Sequence, residues 1–187
     1  MKGHHVLSRT SYDINDKEDN IMFKKFIIAS AAVLLAACST SQLTSEQKAE
    51  QRRQVAKTIQ EAIDGRNFAV SIKLMMPNRG PSVHVDPGYM LRIKGDSIYS
   101  YLPYFGRAYS VPYGGGNSLD FQTTLMGYNR ERIKNKYTRV YIAAKNENDT
   151  YQYTLEVFDN GHCVLSVTSR NRESISFDGE MMGLPVK

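Results

Sequence analysis

After Gly65 the apolar residues of this chain recur at every second position, and they keep that period over most of the remaining sequence. The first run consists of Phe68, Val70, Ile72, Leu74 and Met76 and ends at Pro77. The same alternation returns at Tyr89, Leu91 and Ile93, at Leu119 and Phe121, at Val140, Ile142 and Ala144, at Tyr151, Tyr153, Leu155 and Val157, and at Ile175 and Phe177. A period of two places the apolar side chains on one face of a β-strand. The chain is therefore restricted to an antiparallel sheet with one buried face.

One helix is predicted ahead of these strands. Thr44 and Gln47 have the spacing of a capping box, in which two side chains satisfy the free N–H groups of the first turn. The apolar residues that follow fall on a single helical face, at Val55, Ile59, Ala62 and Ile63. Gly65 is a suitable C-terminal stop. We expect a helix from about Ser45 to Asp64.

Turn residues predict the register of two hairpins. A two-residue Gly95-Asp96 turn would pair Ile93 with Ile98. For the second hairpin, a two-residue Asn-Gly loop would place Leu155 opposite Ser166. A three-residue loop of Asp159, Asn160 and Gly161, with Gly161 left-handed, instead keeps the facing pairs apolar, namely Val157 with Cys163, Leu155 with Leu165 and Tyr153 with Val167. We therefore predict the three-residue loop.

One helix followed only by strands excludes alternating βαβ units. We expect an α+β fold that is mainly antiparallel β, with the N-terminal helix against a strongly curved sheet or half-barrel. A two-layer β-sandwich is the alternative. Residues 45–187 are expected to form a single domain that ends in a coil tail from Gly179 onward.

A leader is predicted upstream of this domain. Lys24 and Lys25 precede a short apolar run over residues 26–37, which ends in Leu35, Ala36, Ala37 and then Cys38. The run is shorter than the ~20 apolar residues that a transmembrane helix needs. Its order of positive, apolar and small residues is that of a secretory signal. With Cys38 next, it resembles a bacterial lipoprotein signal, which implies lipidation of Cys38.

The leader is divided as follows. Residues 22–37 are the expected signal and residues 38–44 a tether, while residues 1–21 lack a signal pattern and are interpreted as a start-site error upstream of Met22. The expected location is the periplasmic face of the outer membrane, attached through Cys38. The resemblance to other bacterial lipoproteins implies this location, because Ser39 rather than an acidic residue follows Cys38.

Composition and motifs do not indicate catalysis. The formal net charge of +5 is too small to argue for a nucleic-acid partner. Cys38 and Cys163 are the only cysteines, so a lipidated Cys38 leaves Cys163 as a buried, inert thiol. His84 and His162 are isolated in sequence, and no metal-binding, phosphate-binding or nucleophile motif occurs. We expect no cofactor, no metal site and no enzymatic activity.

Residues 99–113 are the candidate functional segment because aromatic rings are concentrated there. The candidate binding residues are Tyr99, Tyr101, Tyr104, Phe105, Arg107, Tyr109 and Tyr113. Tyrosine combines an apolar ring with a polar tip, which suits ligand sites and interfaces. We expect a binding module for an apolar or glycan-like ligand. The alternatives are a structural or assembly partner of another envelope protein, or rings that only cover an apolar layer or brace an edge strand.

The same segment carries a family resemblance. Residues 95–109, together with the Asn67-Phe68 pair and the Phe177, Asp178 and Gly179 sequence, resemble DUF4251, a family of small Gram-negative lipoproteins classed as a domain of unknown function. The resemblance implies an exported, lipidated single domain and no particular activity.

A basic run follows the segment, at Arg130, Arg132, Lys134, Lys136 and Arg139. On one strand the first four side chains would share a face, which could meet phosphate headgroups or an acidic partner. A solvated surface is the alternative.

Overall fold

The described part of the chain forms one helix followed by nine antiparallel strands. The computed structural model describes residues 44–107, 118–147 and 149–183. The elements are α1 (Ser45–Asp64), β1 (Asn67–Pro77), β2 (Val83–His84), β3 (Met90–Lys94), β4 (Ser97–Pro103), β5 (Ser118–Ile133), β6 (Tyr137–Lys145), β7 (Thr150–Phe158), β8 (His162–Ser169) and β9 (Ile175–Met181). All of these elements lie in one compact unit that begins at Ser45.

The sheet closes on itself as a barrel. Strands β1 and β3 to β9 are hydrogen-bonded in sequence order, and β9 pairs back onto β1, while the two-residue β2 is added beside the end of β1. The predicted N-terminal helix and curved antiparallel sheet are confirmed. The closure is complete rather than half-way, so the two-layer sandwich is not the arrangement of the described strands.

Both predicted hairpin registers are confirmed. Ile93 faces Ile98 across the Gly95-Asp96 turn. In the second hairpin Val157 faces Cys163 and Leu155 faces Leu165, and Gly161 is left-handed with φ of 89°. Apolar pairing on the buried face therefore decides the loop length.

Alternate side chains of every long strand fill the interior of the barrel. The largest fully buried side chains are Tyr153, Phe177, Ile59, Ile63, Leu91, Ile93, Ile98, Leu102, Leu155, Leu165, Val70 and Val140. Two of these, Ile59 and Ile63, come from α1, which also buries Val55. The helix runs over the predicted range and contributes one apolar stripe to the core.

The second half of β5, beyond the last residue paired with β4, contacts the end of α1. The Tyr128 hydroxyl donates a hydrogen bond to the Ile63 carbonyl oxygen at 2.8 Å. Arg130 Nε lies 2.8 Å from Asp64 Oδ1. These contacts fix the last turn of the helix to the sheet, where its carbonyl groups have no partners within the helix.

Two expectations are wrong. The basic residues do not share one strand face, because the chain turns at Lys134 and Asn135, where φ is 44° and 53°. Residues 179–181 are not a coil tail, because β9 continues to Met181 and pairs with Val70 of β1. The turn at Lys134 and Asn135 could not be predicted because the residues around it are polar and show no alternation. The extension of β9 to Met181 could not be predicted because it depends on pairing with β1, which is distant in sequence.

Candidate functional site

Three tyrosines form a cluster beside β3 and β4, which we call the outer tyrosine surface: Tyr89, Tyr99 and Tyr101. Tyr99 and Tyr101 alternate with the buried Ile98 and Leu102, so they project outward from β4, half-buried. The Tyr89 and Tyr101 rings are stacked, with centroids 5.0 Å apart and planes at 25°. Tyr99 and Tyr101 therefore stand on the face expected from the sequence.

Polar residues on the neighbouring strands flank these rings. In the strand ladders Arg92 of β3 and Gln122 of β5 lie on either side of Tyr99, and Asp120 lies opposite Tyr101. Arg92, Gln122 and Asp120 are exposed. The surface thus combines aromatic faces with a guanidinium, an amide and a carboxylate, which can bind a ligand that has both apolar faces and hydrogen-bonding groups.

Sequence reasoning missed Tyr89 as a member of this surface. Strict alternation places it with Leu91 and Ile93, which point inward. The regular strand begins one residue later, at Met90, and the Tyr89 ring stacks on Tyr101. The nearby Pro87-Gly88 pair, with Gly88 at φ of 120°, is the sequence signal that the alternation stops here.

Tyr104 is a core residue and not part of an open surface. Its side chain is only 8% exposed. Its hydroxyl, with one hydrogen to donate, lies within hydrogen-bonding distance of the main-chain carbonyl oxygens of Arg107 and Glu173, at 2.9 and 3.1 Å. The Arg172 guanidinium carbon lies 4.9 Å from the ring centroid. The ring of this candidate binding residue is therefore buried at this end of the barrel, as in the alternative that rings of this segment cover an apolar layer.

The other residues of the candidate segment have different positions. Phe105 is 64% exposed, and Arg107 is exposed as well. Tyr109 and Tyr113 lie outside the described residues, as does the expected lipidation site Cys38. The structure therefore places Tyr99 and Tyr101 together on the outer surface, whereas Tyr104 belongs to the core. Phe105 and Arg107 are exposed beyond the end of β4.

Glu173 connects three loops at the end of the barrel where Tyr104 is buried. Its carboxylate accepts a hydrogen bond from Asn78 Nδ2 at 3.0 Å and lies 3.4 Å from Arg79 Nε. The Asn78 hydrogen bond, and secondarily the Arg107 N–H and the two arginine charges, lower the pKa of Glu173. The carboxylate is occupied by these contacts, which makes it a structural group.

The two histidines of the described region have separate environments. His162 Nε2 lies 2.5 Å from Asp178 Oδ2, across β8 and β9, and its ring packs on Phe158. His84 is exposed on β2. Within residues 44–107, 118–147 and 149–183, no three His, Cys, Asp or Glu side chains are grouped so that they could hold a metal ion. None of the helices in that part of the chain is both long and apolar enough to cross a membrane.

The sequence profile of the domain family DUF4251, described as a domain of unknown function, matches residues 50–181. This match covers most of α1, every strand of the barrel and both tyrosines of β4. The chain belongs to the DUF4251 family. The resemblance to this domain family is thereby confirmed, while the lipidation that it implied stays a prediction.

A solved DUF4251 protein has the same fold. The crystal structure of a DUF4251 family protein from Bacteroides eggerthii superimposes with a TM-score of 0.53 at 12% sequence identity, over 72% of this chain and 87% of that chain. At this identity the similarity concerns the fold alone. The search of curated proteins finds no match.

Proposed function

We propose that this DUF4251 protein is a lipid-anchored envelope protein that binds an apolar or glycan-like ligand on its outer tyrosine surface. The stacked Tyr89 and Tyr101 rings are the observation that supports this proposal. Aromatic faces pack against the C–H faces of a sugar or against an apolar chain, and neighbouring polar groups bond to hydroxyls. Arg92, Asp120 and Gln122 supply such groups beside Tyr99 and Tyr101.

The packing of the barrel supports an outer site rather than an inner one. An eight-stranded barrel has room either for its own side chains or for one small ligand. Here the interior positions carry large apolar side chains, including Tyr153 and Phe177, and α1 adds Ile59 and Ile63. The tyrosines of β4 point away from this core, and their half-buried rings lie on the outer face of the barrel, where a ligand can reach them.

Native mass spectrometry tests the binding role. The full chain is extracted from membranes in mild detergent, and its mass is compared with that of the double variant Tyr99→Ser, Tyr101→Ser. We expect the wild type to carry a small-molecule adduct that the double variant loses, because aromatic anchors dominate such sites. Phe105→Ala is the matched control, since Phe105 is an exposed ring outside the outer tyrosine surface. An adduct of equal abundance in all three proteins would contradict the proposal.

Lipid attachment is tested separately. Cys38→Ala should abolish metabolic labelling with a palmitate analogue, because the expected acceptor is the Cys38 residue exposed by signal cleavage. Ser39→Ala is the control and should label as the wild type does. Labelling of Cys38→Ala at the wild-type level would show that Cys38 is not the site of lipid attachment.

One observation favours an assembly role as a second candidate. Phe105 is 64% exposed, although the neighbouring Tyr104 is fixed in the core, so a large apolar ring is held in solvent. Rings held in this way are suited to insertion into a partner protein. A photo-crosslinking residue at position 105 would then give a discrete protein adduct in intact cells, whereas one at the exposed position 122 would not.

A further inference from the structure

A second concave surface lies on the outside of the barrel, over β5, β6 and β7. It is a shallow groove of about 260 Å³. Its floor is formed by two residues without large side chains, Gly127 and Ala143, which face each other across β5 and β6. It is lined by Asn129, Tyr141, Gln152 and Thr154, and also by Tyr128, Ile142 and Tyr153.

The groove depends on an irregularity in β5. The register with β6 shifts between Leu125 and Gly127. Such a bulge changes the direction of the side chains that follow it. At Gly127 an added Cβ would lie 3.7 Å from the Ala143 Cβ, an ordinary contact, so only the absence of a side chain keeps this position open.

Tyr141 is held as a rigid side wall. Its ring is 38% exposed. Its hydroxyl donates to Glu131 Oε1 at 2.8 Å and accepts from Arg139 Nη1 at 3.4 Å. Arg139 is itself held in place, because it also binds Glu156 at 2.9 Å and lies 3.6 Å from Glu131 Oε1. A ring held in this way loses little conformational entropy when a ligand packs on it.

The remaining polar groups are neutral. Asn129 Oδ1 accepts the Arg130 N–H at 2.8 Å, which leaves the amide N–H₂ as a donor. Gln152 contributes a complete amide on the exposed side of β7, and Thr154 contributes a hydroxyl two residues further along the same face. Arg139, which contacts the Tyr141 hydroxyl, is paired with Glu131 and Glu156. The groove therefore offers an aromatic wall and several neutral hydrogen-bonding groups, with no uncompensated charge among its lining residues.

We propose that this groove binds one pyranose ring of a neutral glycan. The apolar face of the sugar packs on Tyr141 above the Gly127 floor, and its hydroxyls bond to Asn129, Gln152 and Thr154. Planar amides and hydroxyls suit a polyol because each group can donate and accept. This site shares no residue with the outer tyrosine surface or its flanking polar groups and does not depend on them.

A titration followed by nuclear magnetic resonance tests this proposal on the ¹⁵N-labelled full domain. The probes are cellotetraose, maltotetraose and tetra-N-acetylchitotetraose, each added to millimolar concentration, the range expected for a shallow site. We expect at least one probe to shift the backbone amides of Gly127, Ala143 and Gln152. Absence of shifts there with all three probes would overturn the proposal.

Variants distinguish this groove from the other surface. Gly127→Val fills the floor without backbone strain and should weaken binding at least about tenfold, while the spectrum stays that of a folded barrel. Thr124→Ala, an exposed position on the same strand but outside both surfaces, should bind as the wild type does. Tyr99→Ala should leave groove binding intact even if the proposed ligand of the outer tyrosine surface is lost. Wild-type affinity in Gly127→Val, or shifts confined to the amides of Tyr99 and Tyr101, would refute the proposal that the glycan binds in the groove.

Discussion

The Tyr104 hydroxyl lies 3.1 Å from the main-chain carbonyl oxygen of Glu173, a residue 69 positions further along the chain. This contact joins the end of β4 to the loop before β9. Because the Tyr104 ring is also buried, the residue acts as part of the core at this end of the barrel. Its neighbour Phe105 points into solvent, so two adjacent aromatic residues have opposite roles.

Truncation of the two rings should therefore have unequal effects on stability. Tyr104→Ala should lower the free energy of unfolding by about 3–5 kcal/mol, as for other buried aromatic residues, and Tyr104→Phe by ~1 kcal/mol for the lost hydrogen bond. Phe105→Ala should change it by no more than ~0.5 kcal/mol. Chemical denaturation of the three variants measures these values. Equal midpoints for Tyr104→Ala and Phe105→Ala would show that Tyr104 is not a core residue.

Gly179 should not tolerate even one added methyl group. A Cβ at this position would overlap the Ser71 carbonyl oxygen, which belongs to the backbone of the paired strand β1 and has little freedom to move. We expect Gly179→Ala to destabilise the barrel by ~2 kcal/mol or more, the size typical of overpacking. The matched control is Gly127→Ala, where the added Cβ makes an ordinary contact. Thermal unfolding compares them, and similar melting temperatures would contradict the steric argument.

Gly161 should require its left-handed conformation. Its φ of 89° closes the three-residue loop between β7 and β8. Gly161→Val should destabilise by roughly 1–2 kcal/mol, since β-branched residues resist this conformation, and Gly161→Asn by less. Urea denaturation of the wild type and the two variants measures their relative stability. A valine variant as stable as the asparagine variant would mean that the loop can adopt another turn.

Cys163 should be unreactive in the folded protein. Burial raises the pKa of its thiol to about 12. In a Cys38→Ala background Cys163 is the only thiol of the chain, and iodoacetamide should modify it at a rate limited by unfolding. Rapid modification without denaturant would contradict its burial. Addition of urea is the positive control.

The same pKa shift predicts a loss of stability at alkaline pH. Above about pH 9 the unfolded thiol ionises while the folded thiol keeps its proton, so the unfolded state binds fewer protons. Stability then falls as the pH rises toward the folded pKa, by at most ~1.4 kcal/mol per pH unit from this group. Cys163→Ala should show a shallower decline in denaturant midpoint over this interval. If the midpoint declines equally in the wild type and in Cys163→Ala, other titrating groups cause the loss of stability.

Local sequence patterns predicted much of the fold. The helix bounds follow from its cap and apolar stripe, and the two hairpin registers follow from turn residues and apolar pairing. The length of β5 could not be predicted in this way. Near its end, the positions that continue the face of Tyr128 are Arg130 and Arg132, which are exposed and pair with Asp64 and Asp159. Charged residues at these positions interrupt the alternation on which strand prediction depends.

The candidate site was only partly predictable for a different reason. Alternation placed Tyr99 and Tyr101 on the outer face, as the structure does. The burial of Tyr104 depends on a carbonyl group of Glu173, far away in sequence, and no local pattern reports such a contact. The groove over Gly127 arises from a missing side chain beside a bulge, and neither feature has a periodic signal.

The pairing of β1 with β9 has a consequence for how the domain is completed. These are the first and last of the described strands, so the final row of hydrogen bonds cannot form until Ile175–Met181 is available. A chain that ends before Ile175 would leave one side of β1 and the free side of β8 as exposed edges, which are templates for pairing with other chains. Long-range pairing of this kind is also slow to form. With its last strand in place the domain is a closed barrel, whereas without that strand it would be an open sheet prone to aggregation.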